Sequence, residues 1–381
     1  MVPAAEKNEP MKANGLLRFF SIDTVPGNRN FGLDVMRVIG LLMVFCGHSV
    51  HFFESWFPKI FRISHFVING IELFFSLSGF LIGGLLIKGM IEKNRYTPAA
   101  FFDFCKRRWY KTLPVYYLAV GIIYLSGYFI TGFHADFNFR FLFFSQNFFR
   151  SEGWFFPVSY SLAIEEWFYI LFPLLFLLLV ALFRRSQNPY RLLLVTALIF
   201  VLVSLGIRSW LYFEQHAHWD MVMRKSIITR FDSSVYGVML AILFYRFKDR
   251  LLAQANLLLF AGLALHALSL FFRLKYSEGY FYHVIYFTTI PVSFALMIPW
   301  FYRLKVNSSF LLKFFTGLSL ISYAYYLIHL SPLQEIMLHY LHDVSLPVMS
   351  AWFLVYTVVG FSLAVLWYKY IEKPFTDLRD K

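Results

Sequence analysis

The sequence predicts an all-α integral membrane protein: a bundle of about ten transmembrane helices with both termini cytoplasmic. Composition is the first reason. The 381 residues are 59% hydrophobic and 15% charged, with 48 Phe, too little charge to cover so much apolar surface in a soluble domain. The second is segment length: ten stretches are long enough to cross roughly 30 Å of hydrocarbon. The third is charge placement. With those spans, 24 Lys and Arg fall in the N-terminus, the even-numbered connections and the C-terminus, 9 fall on the other side, and Arg37 and Arg208 lie inside spans. This asymmetry places the termini inside and reads the net charge of +13 as topology and contact with anionic headgroups, with no nucleic-acid partner.

The spans fall near 31–52, 67–88, 113–131, 162–183, 191–213, 227–247, 257–273, 281–301, 310–331 and 350–371. Residues 1–30 form a cytoplasmic tail, in which Leu16 to Ile22 could lie flat as an interfacial helix. No small-residue cleavage site follows the first apolar segment, so no removable signal peptide is expected. The outer connection 132–161, with its Phe139–Phe144 and Trp154–Pro157 runs, reads as headgroup-packed or partly re-entrant. One membrane domain is expected over 31–375, followed by a short cytoplasmic tail, 376–381. Cys46 falls within the first span and Cys105 in a cytoplasmic connection, so no bridge between them is expected.

Inside the spans the polar residues are few and patterned. Arg37 and His48 are eleven positions apart in the first span, almost three helical turns, so they share a face about 16 Å apart along the axis. A cation near one membrane surface is thereby linked to an imidazole near the other. Glu72, Glu165, Glu166, Arg208, Arg230, Asp232 and His329 fall in the outer half with His48. Each has a plain explanation. Carboxylates in a first turn favour the helix dipole, and Arg230 could pair with Asp232 or reach the interface. Together, at one level, they predict a polar chamber. On the cytoplasmic side Lys106-Arg107-Arg108-Trp109-Tyr110-Lys111 enters the third span, with Arg108 and Lys111 on one face. Such a cluster suits a phosphate-rich ligand, and also suits ordinary anchoring at a cytoplasmic surface.

The chain lacks a Gly-x-x-x-x-Gly-Lys loop, His-Glu-x-x-His and Cys-x-x-Cys, and His216-Ala-His218 is too sparse a motif to argue for a metal. Five ordered blocks do resemble a known family. They are Leu33-Asp34 through Arg37 and His48; Phe75-Ser76-Leu77-Ser78-Gly79-Phe80-Leu81-Ile82; Ser161 to Tyr169; Ile321 to His329; and Tyr370-Ile371-Glu372-Lys373-Pro374-Phe375. In that order they resemble the acyltransferase-3 family of multi-span membrane acyltransferases, over Gly32 to about Phe375.

The resemblance implies transfer of an acyl group, usually acetyl, from cytoplasmic acyl-coenzyme A to a glycan, lipid or small secondary metabolite, in the inner (plasma) membrane. One departure concerns the family's Arg-x-x-Arg, which here is Arg108-Trp109-Tyr110-Lys111 and loses one bidentate donor. Many relatives carry an extracytoplasmic hydrolase-like domain after the last span; here the acceptor is expected to be reached by the membrane domain itself.

Acylating a hydroxyl requires a base, and an imidazole removed from water favours its neutral, proton-accepting form. His48 is the candidate base, and Glu165, by its depth, the carboxylate that orients it. Arg37, Arg108 and Lys111 are the candidate coenzyme ligands. Ser78 and Arg230 are candidate oxyanion donors, and Asp232 a candidate substrate contact. Two alternatives stand beside direct transfer: a secondary transporter using the outer-half charges as a pathway, and an enzyme with a covalent acyl-His48 intermediate.

Overall fold

The computed structural model describes residues 29–59, 69–131, 137–151, 155–183, 188–276, 278–341 and 344–378. The expected interfacial helix at Leu16 to Ile22, Trp154 and the last three residues lie outside these segments. Ten long helices run α1 Phe31–Ser49, α2 Gly70–Leu86, α3 Pro98–Ser126, α4 Ser159–Phe183, α5 Pro189–Glu214, α6 Val235–Ala253, α7 Ala255–Lys275, α8 Tyr286–Tyr302, α9 Ser309–Ile328 and α10 Leu346–Trp367. Nine of them, with the turns that extend them, are long and apolar enough to cross a bilayer. The exception, α6, carries Arg246, Lys248, Asp249 and Arg250 near its end. Among the described residues there is no strand. The chain is a multi-pass helical membrane protein.

Local sequence explains where the helices begin. The Asn30 side chain accepts from Leu33 N at 3.1 Å to cap α1, and Thr97 accepts from Ala100 N at 3.2 Å ahead of Pro98 to cap α3. A polar cap followed by proline is a strong helix start. It places the beginning of α3 fifteen residues before the expected span at 113, so Lys106 to Lys111 lie within the helix.

The sixth span departs further from expectation. Only its second part is helical; residues 227–234 form buried turns that hold Thr229, Arg230, Asp232, Ser233 and Ser234. Irregular backbone is tolerated there because protein surrounds it and most of its polar groups find partners. Thr229 Oγ1, for example, lies 3.0 to 3.1 Å from the carbonyls of Val222, Met223 and Ser226, which share its one proton.

Helices α2 and α8 are central. The most apolar stretch through α2 is 72% buried, against 17% for α7 and 22% for α10. The latter two turn Leu257, Phe260, Leu354 and Val358 outward, as helices facing lipid do. Close approach of α2 and α6 depends on small residues: a Cβ on Gly79 would lie 1.8 Å from Ser234 O, and one on Gly237 2.0 Å from Ser76 O. The connection between α3 and α4 folds over the helix ends. Tyr116 OH donates to Phe141 O at 2.9 Å and Trp167 Nε1 to Phe144 O at 3.0 Å, while Ile227 N donates to Asn147 O at 2.9 Å. Phe139, Phe143 and Phe149 remain exposed.

Gly79→Ala is expected to destabilise the protein by about 1–3 kcal/mol or more, because backbone must move to admit the methyl. Gly121→Ala, with nothing within 4 Å of its added Cβ, should be neutral or stabilising by about 0.5–1 kcal/mol. Thermal unfolding of the two detergent-purified variants checks the contrast.

Candidate functional site: two cavities joined along the first helix

The Arg37 end of α1 is organised by Asp34, which is buried. Its carboxylate accepts from Arg29 Nη2 at 2.5 Å, Arg37 Nη1 at 3.0 Å and Ser319 Oγ at 2.8 Å. Asp34 thus fixes the Arg37 side chain and ties α1 to α9. Beside it is a cavity of about 160 Å³ lined by Arg37, Arg108, Lys111, Ser78, Glu165, Glu166, Ser322 and Tyr323, among others. All three predicted coenzyme ligands therefore share one space. The Arg108 guanidinium lies 4.0 Å from the centre of the Tyr169 ring, a close cation–π contact. Lys111 Nζ lies 3.8 Å from Oε1 of buried Glu372, so the Tyr370–Phe375 block helps to position this cation.

Glu165 belongs to this cavity and not to His48. Its Oε2 accepts from Tyr169 OH at 2.8 Å, and that hydroxyl lies 2.5 Å from Ser78 Oγ. The expected Glu165–His48 pair does not form. Helix α4 begins at Ser159, so Glu165 sits in its second turn, and Arg108 lies ten residues inside α3. The two meet well within the bundle. Ser78, a predicted oxyanion donor, lines the same cavity.

At the other end of α1 the partner of His48 is His329. Their Nδ1 and Nε2 atoms are 2.7 Å apart, and His329 is fully buried. His329 Nδ1 lies 2.9 Å from Tyr326 O and 3.1 Å from Tyr325 O. Carbonyls only accept, so this nitrogen carries the proton. With both rings neutral, His329 Nε2 then accepts, His48 Nδ1 donates, and His48 Nε2 retains its lone pair. The carbonyl of His48, at the end of α1, accepts from Gln334 Nε2 at 2.9 Å. Sequence reasoning placed His329 at the right level without assigning it this role.

His48 lines a second cavity of about 440 Å³, with Asn69, Glu72, Tyr160, Trp219, Asp220, Arg224, Lys225 and Arg273 among its walls. Ile71 lines both cavities, and Tyr160 and Ser161, adjacent in sequence, face one each. The barrier is thin at that point. Tyr326 OH braces it, 2.7 Å from Ser161 Oγ and 2.9 Å from Val158 O.

Arg230 and Asp232 line neither cavity. Arg230 Nη2 donates to both oxygens of Glu72 at 2.6 Å and Nε to Ser233 Oγ at 2.9 Å. Asp232 forms a fork with Arg208 at 2.8 and 2.7 Å and accepts from Tyr236 OH at 2.8 Å. Arg230 and Asp232 therefore do not pair with each other. Their hydrogen-bonding capacity is taken up in holding α2, α5 and α6 together, which removes them as oxyanion or substrate contacts. Around the second cavity, burial tends to raise the Asp220 carboxyl, but Arg224 and Lys225 beside it outweigh burial and hold it below the usual carboxylate range.

Residues 30–369 match the acyltransferase-3 family, described as an acyltransferase domain. The chain belongs to that family. As an acyltransferase-3 protein it is 25% identical over an alignment of 389 positions to "Putative O-acetyltransferase SACOL0978" of Staphylococcus aureus (strain COL), covering 96% of this chain and 59% of the relative. The chain thus spans about three-fifths of the length of that protein. It is also 28% identical over 192 residues to "Peptidoglycan O-acetyltransferase OatA" of Listeria monocytogenes serovar 1/2a, covering 46% of this chain and 27% of OatA. No solved structure matches it significantly.

Replacing His329 by Ala removes the acceptor that fixes the His48 tautomer. If the chain draws on acetyl-coenzyme A, thiol release at matched protein levels is expected to fall about tenfold or more. His329→Gln, whose amide oxygen can accept the same proton, should retain more activity than the Ala variant.

Proposed function

We propose that this chain is a membrane O-acyltransferase, acting through residues 31–375. It takes an acyl group, acetyl in the first instance, from cytoplasmic acyl-coenzyme A and gives it to a hydroxyl of an envelope glycan, lipid or secondary metabolite. The observation that carries the reading is the hydrogen-bond order at His48. A neutral imidazole, its Nδ1–H held by His329, lines a polar cavity at the end of α1 opposite to Arg37. Family membership and relatives named as O-acetyltransferases support acyl transfer as the chemistry. The alternating basic connections support an inner-membrane arrangement with both termini inside, so that the Arg37 cavity opens to the cytoplasm.

In this reading Arg37, Arg108 and Lys111 hold the coenzyme's phosphates. Arg108 gives planar, directional hydrogen bonds and Lys111 a point charge. The pantetheine arm passes the thin wall at Ile71 and Tyr326, and about 16 Å of helix separates Arg37 from His48. An acceptor hydroxyl in the second cavity gives its proton to His48 Nε2 as its oxygen bonds to the thioester carbonyl. The carbon–sulfur bond then breaks and the proton passes to the departing thiolate. Glu165, held by Tyr169, and Ser78 stand together among the donor-side residues, on the Arg37 side of that wall.

Purified protein incubated with acetyl-coenzyme A and an envelope extract is expected to release free thiol, and a transporter would release none. His48→Ala should lower that release by about a hundredfold or more with folded protein retained, since general base catalysis contributes on that order. Residual activity within tenfold of the parent would place the base elsewhere. Arg108→Ala is expected to raise the KM for acetyl-coenzyme A more than it lowers kcat, the pattern left by loss of ground-state binding.

A further inference from the structure

Neither oxyanion donor expected from sequence stands where a thioester carbonyl would react. Arg230 is held by Glu72 and Ser233, and Ser78 lies with Tyr169 and Glu165 on the Arg37 side. A donor entering from the Arg37 cavity and an acceptor held beside His48 meet at the partition between the two cavities. Ser161 and Tyr326 line the first cavity there, while their near neighbours in sequence, Val158, Tyr160 and Leu330, line the second. Both are almost fully buried, with exposures of 6% and 8%. The Tyr326 ring packs on His329 with 5.8 Å between centres, and His329 in turn holds His48. The hydroxyl pair and the candidate base thus belong to one packed cluster.

Hydrogen bonding at this pair leaves one proton over. Val158 O lies 2.9 Å from Tyr326 OH and 3.2 Å from Ser161 Oγ, and the two hydroxyl oxygens are 2.7 Å apart. Two hydroxyls carry two protons. One of them suffices for the carbonyl, and the other lies between the hydroxyls. An oxygen that arrives at the partition can take the Tyr326 proton while Ser161 keeps Val158 O, so the exchange leaves no donor idle and no buried carbonyl bare.

We infer that Tyr326 donates the hydrogen bond that stabilises the oxyanion of acyl transfer, with Ser161 as the residue that releases it from Val158. This rests on the reading of the two cavities as donor and acceptor sites. As the acceptor oxygen bonds to the thioester carbon, the carbonyl electron pair moves onto its oxygen, which accepts from Tyr326 OH; the tyrosine keeps its proton. The intermediate then collapses, the carbonyl reforms, the carbon–sulfur bond breaks, and the thiolate takes the proton that His48 removed. A donor fixed in a buried wall favours the developing charge over the neutral carbonyl.

The test uses full-length protein and a ketone analogue of acetyl-coenzyme A in which a methylene group replaces the sulfur, isotope-labelled at the carbonyl. Infrared difference spectra of the bound analogue read hydrogen bonding to that oxygen. At saturation the carbonyl stretch is expected at lower frequency in the parent than in Tyr326→Phe, with Ser161→Ala, which makes Tyr326 serve two oxygens, in between. With acetyl-coenzyme A and an envelope extract, Tyr326→Phe should lower kcat by about a hundredfold or more while KM changes by less than about threefold, a split that a collapsed cavity wall would not give. Equal carbonyl frequencies in the parent and Tyr326→Phe, or a kcat within about tenfold of the parent, would overturn the inference. Should Tyr326→Phe fail to fold, fluorotyrosine at position 326, a stronger donor of nearly the same size, should lower the carbonyl frequency below that of the parent, and an unchanged frequency would equally overturn it. A parent that binds neither the analogue nor acetyl-coenzyme A would overturn the transferase reading itself, whereas binding with no Tyr326-dependent shift overturns this inference alone.

Discussion

Charge that enters an apolar bundle must be paired or given a cavity, and most of this architecture answers that requirement. A lone ion in hydrocarbon costs several kcal/mol, whereas a forked, hydrogen-bonded pair recovers much of the penalty and fixes geometry. Arg208 with Asp232 and Arg230 with Glu72 are such forks, and both are buried. They join α5 to the turns before α6, and those turns to α2. Those turns could not survive among apolar helices without them. Because they are held, Gly79 and Gly237 can bring α2 against α6, and Glu72 keeps its place on the wall beside His48. Asp34 does the same for Arg29 and Arg37 at the other end. Arg108 and Arg273 also pack their guanidinium groups on aromatic rings at the edges of the cavities.

This division between structural and available charge explains which parts of the site could be read from sequence. The helical period alone separates Arg37 and His48 along one face, and the structure puts one in each cavity. The basic cluster at Arg108 and Lys111 likewise converges with Arg37 as its spacing suggests. Depth was harder. Equal height for Glu165 and His48 assumed that α4 starts near residue 162 and that the basic cluster lies outside α3. At about 1.5 Å per residue, a shift of a few positions is enough to move a carboxylate from one cavity to the other. Hydropathy sees only the apolar core of a helix, and α3 extends fifteen residues beyond it towards its capped start.

Long-range pairing was beyond reach for another reason. His48 and His329 are 281 residues apart, and their relation depends on two backbone carbonyls at the end of α9 whose direction no side-chain pattern encodes. The block from Ile321 to His329 supplies the histidine; the turn after Ile328 frees the backbone geometry that orients it. The partners of Arg230 and Asp232 were misread for the same cause. Residues two apart in sequence look like natural partners, yet in the turn they diverge, and each finds a counter-charge on a different helix.

A neutral histidine is the better orienting group in this setting than the carboxylate first expected. A buried carboxylate beside His48 would need a cation of its own, and a cation there would oppose protonation of the base when the acceptor hydroxyl gives up its proton. His329 needs no counter-ion, because two carbonyls already hold its proton. It accepts from His48 Nδ1 in the resting state and can accept more strongly as His48 becomes positive.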